Sequence, residues 1–336
     1  MNLKISLYTK LEKSIIKRDK RLISKKNLKL LLRVGVSALF IIFLFSNSDV
    51  TETLGFVAKS NHLIWFVCIL LYILGQATCA YKWKLLAAAA DFKGSVKDYI
   101  DYYYTGMFFN LFLPTTVGGD VIKCYYLSKE DSENRKAAAA YSVLADRVTG
   151  AAVLIWIAAL GVFLTSAHIP LIIKFCTVLI SAGIIVFAPL FPVICGIFVN
   201  KKWMDRFLTD INVYWQNPML ITKALSWSLI FHLIIIAIHV LIGYAIGIKI
   251  PVLYYFIIYP MSALAGFLPV SFNGIGPREA TYIYFLSLIG IKLSVSLAFG
   301  VFWFGIVLIS SLTGGIFYLK GKHVGLEDEK DRLSAV

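Results

Sequence analysis

The chain has 336 residues, 59% hydrophobic and only 15% charged, with a formal net charge of +14 and a mean hydropathy of +0.78. That is too apolar for a water-soluble domain of ordinary composition and identifies a polytopic integral membrane protein, all-α in class. The excess of Lys and Arg does not point to nucleic acid: no nucleic-acid motif accompanies it, and its placement follows the apolar runs.

Nine Lys/Arg fall in residues 1–27, ahead of the first apolar run. A basic tail beside a hydrophobic helix is the mark of a cytoplasmic terminus, and it suits contact with anionic headgroups. The first span is predicted over residues 28–45. The polar Ser46-Asn47-Ser48-Asp49 that follows offers no small-residue cleavage site, so a cleaved leader is not expected. The second span is predicted over residues 62–80, with Lys82, Lys84, Lys93 and Lys97 behind it as an inner-face cluster.

Residues 99–117 are aromatic and apolar but end in Pro114 and Gly118-Gly119, then turn into Asp120 and Lys123. Lipid has no water to satisfy a free N–H or C=O, so a break at membrane depth must be buried in protein or line a wet cavity. Cations on both flanks predict a hairpin that enters and leaves on the inner side. The third span is predicted over 137–164, the fourth over 171–199, and the fifth over 225–248. Between the last two, Trp203, Phe207, Ile211 and Trp215 recur at helical spacing, the pattern of an interfacial amphipathic helix.

A second break then repeats the first: Phe267-Leu268-Pro269, small residues, Asn273-Gly274, Gly276, and the charges Arg278 and Glu279. It divides an apolar stretch at 252–272 from another at 281–291, before a last span at 293–319. With both termini inside, six spans and two re-entrant hairpins from opposite faces, inner segments hold 25 of the 33 Lys/Arg. The two hairpin units then face opposite ways, an inverted repeat of the kind that builds secondary transporters, whose binding sites lie at paired breaks. The alternative is that both breaks are Pro/Gly kinks in ordinary spans. The domain plan is a basic tail (1–27), one membrane domain (28–320) and a charged cytoplasmic tail (321–336).

Within the membrane domain, charge is scarce and concentrated. Asp146-Arg147 lies about ten residues into the third span; at that depth it faces a partner or a wet cavity, or else it snorkels to the inner interface. Gly118-Gly119 allows an anion to approach the backbone, with Asp120 and Lys123 beyond; a plain glycine turn reads the same way. Asn273, Gly274 and Gly276 shape a tight turn. Arg278 has the planar fork that suits phosphate, and Glu279 is placed to balance it. The predicted site for a lipid phosphate is Lys123, Arg147, Arg278, Gly118, Gly119, Asn273, Gly274 and Gly276, with Asp120, Asp146 and Glu279 balancing charge. His232 and His239, seven apart on one face of the fifth span, are expected to be packed helix residues. Thr313-Gly314-Gly315 is expected to pack through small side chains.

No phosphate-binding glycine loop with Lys-Ser/Thr, no His-Glu-x-x-His and no nucleophile elbow is present. The five cysteines form no Cys-x-x-Cys pair. Catalytic residues, a metal and any other cofactor are therefore not expected.

In combination, Asn110-Leu-Phe-Leu-Pro114, Gly118-Gly119-Asp120 with a cation three on, Asp146-Arg147 with Gly150, and Leu268-Pro269-x-x-x-Asn273-Gly274-x-Gly276-x-Arg278-Glu279 resemble the flippase-like membrane domain of lysylphosphatidylglycerol synthases. The resemblance covers about residues 28–320. It implies the translocating half alone, since those synthases carry a C-terminal aminoacyl-transfer domain and this sequence ends at Val336. Lys123 stands where the family pattern favours Arg, a departure that weakens a bidentate phosphate role there. The expected activity is translocation of a phospholipid or polyprenyl-phosphate-linked glycan across the inner (plasma) membrane. Competing readings are a lipid-modifying transferase and a non-catalytic partner in envelope polymer assembly. Expected partners are membrane lipids, with a homo-oligomer or envelope-biosynthesis proteins as further candidates.

Overall fold

The computed structural model describes residues 49–113, 118–131, 135–165, 168–197, 202–268, 271 and 274–320, with isolated positions 35, 42 and 46. The first predicted span, both tails, Pro114–117 and Asn273 lie outside the described residues. Every regular element among the described residues is a helix.

Helix α1 (Val50–Ala58) precedes the long α2 (His62–Ala89), which starts at Asn61, whose side chain accepts from the Leu63 amide. Then come α3 (Val96–Asn110), α4 (Gly118–Glu130) and the long α5 (Lys136–Leu164). The second half runs α6 (Leu171–Ile197), α7 (Lys202–Trp215), α8 (Pro218–Ala245), α9 (Tyr255–Gly266), α10 (Pro277–Ser287), α11 (Leu293–Leu312) and α12 (Gly314–Lys320). Among the described residues, five helical stretches are long and apolar enough to cross a membrane: α2, α5, α6, α8 and α11–α12. They answer to the second through sixth predicted spans.

Both breaks are real interruptions. Helices α3 and α4 have 15 and 13 residues, α9 and α10 have 12 and 11. At 1.5 Å per residue none exceeds about 23 Å, short of the ~30 Å hydrocarbon core. Within each pair the two short helices pack against one another, α3 on α4 and α9 on α10.

The order long–short–short–long occurs twice, as α2–α3–α4–α5 and α8–α9–α10–α11, and the packing repeats with it. In each unit the first long helix meets the first short one, the short helices pair, and the second short helix meets the last long one. Between units, α5 packs on α9, and α11–α12 packs on α3. Both of these crossings close on glycine. A Cβ at Gly161 would stand 2.8 Å from the Phe256 carbonyl oxygen, and one at Gly314 would collide with the Tyr104 carbonyl oxygen. The small-residue expectation for Gly314 thus has a specific partner.

The repeat is inverted. Helices α2 and α8 form the central seam, and their contacts run in opposite directions: Gly75 meets Phe231 and Ile234, Tyr81 meets Trp227, and Leu86 packs with Ala224 and Leu220. Equivalent helices of the two units are therefore antiparallel. Helix α6 connects the units from outside, packed on α5 and exposing Leu171, Ile172, Phe175 and Leu179.

Two boundaries differ from expectation. Helix α2 runs nine residues further than predicted, because Leu85–Ala89 are good helix formers with nothing to stop them before Asp91, a residue at φ 61°. Helix α8 starts earlier, at Pro218, where the Asn217 side chain accepts from the Leu220 amide. The amphipathic helix α7 exists, with Trp215 of its stripe exposed and Ile211 turned inward. Ile211 and Tyr214 are buried with Leu86, Leu220 and Ala224, and Phe207 stands edge-on to Tyr141. Part of its apolar face thus serves its own bundle.

Replacing Gly314 by Leu should lower the thermal midpoint of the detergent-solubilised protein by the equivalent of about 3 kcal/mol or prevent folding, since the side chain has only a backbone carbonyl to displace. Gly55→Ala, at a helical position with nothing within 4 Å, should leave the midpoint unchanged or slightly raised.

Candidate functional site

Both hairpins and four long helices converge on one cavity of about 280 Å³. Its wall is largely aromatic and amide-bearing, with Tyr72 and Gln76 from α2, Tyr103 and Asn110 from α3, Tyr259 from α9 and Trp303 from α11. Four cations reach it, Lys82, Lys123, Arg147 and Arg278, and two carboxylates, Asp120 and Asp146, for a formal lining charge of +2.

Five of these six form a single cluster. Lys82 Nζ lies 2.9 Å from Asp146 Oδ1 and donates to the Asp146 carbonyl at 2.8 Å and to Ser228 Oγ at 3.0 Å. Three contacts match its three N–H donors. Lys123 Nζ lies 2.9 Å from Asp120 Oδ1 and 3.8 Å from Asp146 Oδ2, and its charge sits 4.2 Å from the Tyr103 ring centre. Arg147 grips Asp120 with two parallel bonds, Nε to Oδ2 at 2.9 Å and Nη2 to Oδ1 at 3.1 Å. Such forks are strong, charge-assisted bonds. The Lys82, Lys123, Asp120 and Asp146 side chains are at most 8% exposed, whereas that of Arg147 is 36% exposed. All five line the cavity, and Arg147 is the member with the most exposed side chain. Asp146-Arg147 does not snorkel.

Arg278 stands apart. It lies in the first turn of α10, lines the cavity, and packs on Gly266, where a Cβ would come within 2.9 Å of Nη2. Its guanidinium makes no ion pair or hydrogen bond with the described residues. Glu279 does not balance it: its Oε2 accepts the Gly276 amide at 2.6 Å and forms no ion pair among the described residues. The Gly276-x-x-Glu279 spacing is that of a reciprocal helix start, and Glu279 is used there.

The glycines of the two breaks also have a plainer role than phosphate contact. Gly119 abuts Gly106 so closely that a Cβ there would collide with the Gly106 carbonyl oxygen, and its amide already donates to Asn110 Oδ1 at 2.6 Å. Gly118 is tucked against Leu113. Gly274, at φ 77°, abuts the Gly266 backbone, with a Cβ 2.7 Å from its carbonyl oxygen. Gly276 sits at φ 103°, where only glycine is at ease. In each hairpin a glycine pair lets two short helices meet backbone to backbone. Of the four predicted phosphate glycines only Gly119 lines the cavity.

Lys82 is the residue the sequence reading misplaced. It was assigned to an inner-face cluster with Lys84, Lys93 and Lys97, but the longer α2 carries it into the bundle at 3% exposure. His232 and His239 are satisfied, as expected. His232 Nε2 meets the Gly150 carbonyl at 3.0 Å, which fixes Nδ1 as acceptor from Tyr259 Oη at 2.7 Å. His239 takes the other tautomer, Nδ1 donating to the Ile235 carbonyl at 2.8 Å and Nε2 accepting from Tyr282 Oη at 2.9 Å.

A family model described as the lysylphosphatidylglycerol synthase TM region matches residues 30–315. The chain belongs to this family. No curated protein and no solved structure matches it. Membership in the lysylphosphatidylglycerol synthase TM region family makes it a multi-pass membrane protein tied to lipid handling, and the matched range contains every residue of the cavity.

Breaking one pair of the cluster should cost more than removing the pair. Lys82→Met leaves Asp146 short of its nearest cation and should destabilise by about 3 kcal/mol; adding Asp146→Leu should recover part of that loss. Thermal unfolding of both single variants and the double variant reads the coupling.

Proposed function

We propose that this protein takes the phosphate-bearing head of a membrane lipid into the cavity and carries it across the bilayer, leaving the hydrocarbon tails in lipid. The observation that carries this reading is Arg278: a half-buried guanidinium lining a half-open cavity of surplus positive charge, with no ion pair or hydrogen bond to its side chain among the described residues. A charge held among membrane helices is costly unless something answers it, and a phosphate that enters and leaves is the answer that suits a bidentate fork. Family membership points to lipid as its source. The process moves a molecule and changes no bond, so the reading is transport and not catalysis.

In this reading the short helix pairs α3–α4 and α9–α10 are re-entrant hairpins. Their lengths support it, as does the cation pattern around them: Lys93, Lys97, Arg135 and Lys136 flank the first, Lys249 and Lys292 the second. The first enters from the cytoplasm and the second from the opposite face of the inner membrane, with both termini cytoplasmic.

Reconstituted into liposomes with fluorescent lipids of defined headgroup, the protein should flip a phosphate-bearing lipid. Arg278→Lys should slow the initial rate about tenfold, since a point charge cannot reproduce the fork, and Arg278→Ala should slow it further at normal expression. Unchanged rates in both variants would sink the transport reading.

The hairpins have their own test. In a background lacking the five native cysteines, Lys93→Cys and Ser132→Cys should both react with an impermeant thiol reagent from the cytoplasmic side only. Lys249→Cys and Lys292→Cys should react from the other side only. Opposite sidedness for Lys93→Cys and Ser132→Cys would show that the first hairpin crosses the membrane.

A further inference from the structure

The cavity's charges are unequal in what they have left to offer, and this bears on which headgroup fits. Lys82 has spent its three donors on Asp146 and Ser228. Lys123 is closed in by Asp120, Asp146 and the Tyr103 ring. The five-member cluster still carries one surplus positive charge, and its exposed member is Arg147. Arg278 supplies a second, entire charge from the other hairpin. Arg147 lies over the Phe267 ring, Arg278 packs on the neighbouring Gly266, and both line the cavity, so the two surplus charges face a common space.

The aromatic faces near the cluster are already covered by cations of the protein. Lys123 lies over Tyr103 and Trp83, and Arg147 over Phe267. Both cavity carboxylates are engaged, Asp120 by Arg147 and Lys123, Asp146 by Lys82 and Lys123. A cationic headgroup would find no free carboxylate at the cluster, and the rings beside it already hold cations. At about 280 Å³ the cavity is also at the small end of ligand sites, roughly 300–1,000 Å³, which suits a compact head.

We infer that the cavity is a site for a compact, doubly negative phosphate monoester, held between Arg147 and Arg278, and that it discriminates against zwitterionic and cationic headgroups. This rests on the proposed function for the lipid source of the phosphate, and it names the charge class of the head. Arg278 is the specificity-determining residue, because its charge is the one no carboxylate cancels. A monoanionic diester matches only one of the two surplus charges. An aminoacylated, net-positive lipid matches neither.

Binding without transport tests it. The purified protein in detergent would be titrated, with thermal unfolding as readout, against short-chain phosphatidic acid, phosphatidylglycerol, phosphatidylcholine and lysyl-phosphatidylglycerol. Glycerol 3-phosphate and inorganic phosphate would be run as soluble probes. Phosphatidic acid should bind at least about tenfold more tightly than phosphatidylglycerol, the gap expected for one charge-assisted contact. The zwitterionic and cationic lipids should bind weakest. Arg278→Gln should erase the preference for phosphatidic acid over phosphatidylglycerol, and Arg278→Lys, which keeps the charge, should preserve it. Affinity confined to phosphatidic acid supports a lipid head, while equal affinity for glycerol 3-phosphate supports a free phosphate ester at the same site. Tightest binding of the cationic lipid by the wild-type protein, or an unchanged ratio in Arg278→Gln, overturns the inference; the wild-type ranking stands even if a variant fails to fold. Correct ranking without lipid flipping would count against the transport reading alone, and flipping with the cationic lipid ranked first against this inference alone.

Discussion

A carboxylate buried among membrane helices must be met by a cation, and the arrangement of this protein's first repeat follows from that requirement at Asp146. Lys82 from α2, Lys123 from α4 and Ser228 from α8 converge around it, directly or through Lys82. Those helices are therefore fixed relative to α5. Asp120 extends the network to Arg147, which reaches over Phe267 at the tip of α9. A single chain of charge thus ties the first hairpin to the central seam and to the second hairpin.

The second repeat has the same frame and a different interior. Its core is apolar and aromatic, with His239, Tyr282, Phe299 and Trp303 in tilted and edge-on ring contacts. Tyr254 there donates to the Phe285 carbonyl at 2.6 Å. Among the described residues of this repeat, Arg278 alone brings formal charge to the cavity. An inverted repeat commonly has equivalent walls; here one wall is electrically almost self-sufficient and the other presents a single open charge. The asymmetry lies in side chains, not in the path of the backbone.

Much of this architecture was legible in the sequence. The apolar runs gave the spans, and Pro114, Gly118, Pro269 and Gly274 marked the breaks, because both signals are local and strong in a membrane. The spacing of Lys and Arg implied two oppositely directed repeats, and the antiparallel α2 and α8 agree with that. What escaped was tertiary. Lys82 looked like its neighbours Lys84, Lys93 and Lys97, and only the continuation of α2 through Ala89 separates it from them. Glu279 looked like a counter-ion when its distance from Gly276 already spelled a helix start. The glycines of the breaks looked like anion contacts; which backbone each would meet depends on residues far away in the chain or across the hairpin, as with Gly106 and Gly119, 13 positions apart. Asn273 lies outside the described residues.

The backbone-to-backbone glycine contacts have a consequence for how chains of this kind can diverge. Where Gly106 meets Gly119 and Gly266 meets Gly274, the edge of the cavity is made of peptide groups with no side chain between them. No substitution there can reshape the cavity by degrees; it either leaves the hairpin closed or forces it apart. Gradual change in cargo must come instead from facing positions outside the hairpins, such as Tyr72 and Gln76 on α2, whose side chains line the cavity. The frame and the palette are carried by different residues, so the second can drift while the first stays fixed.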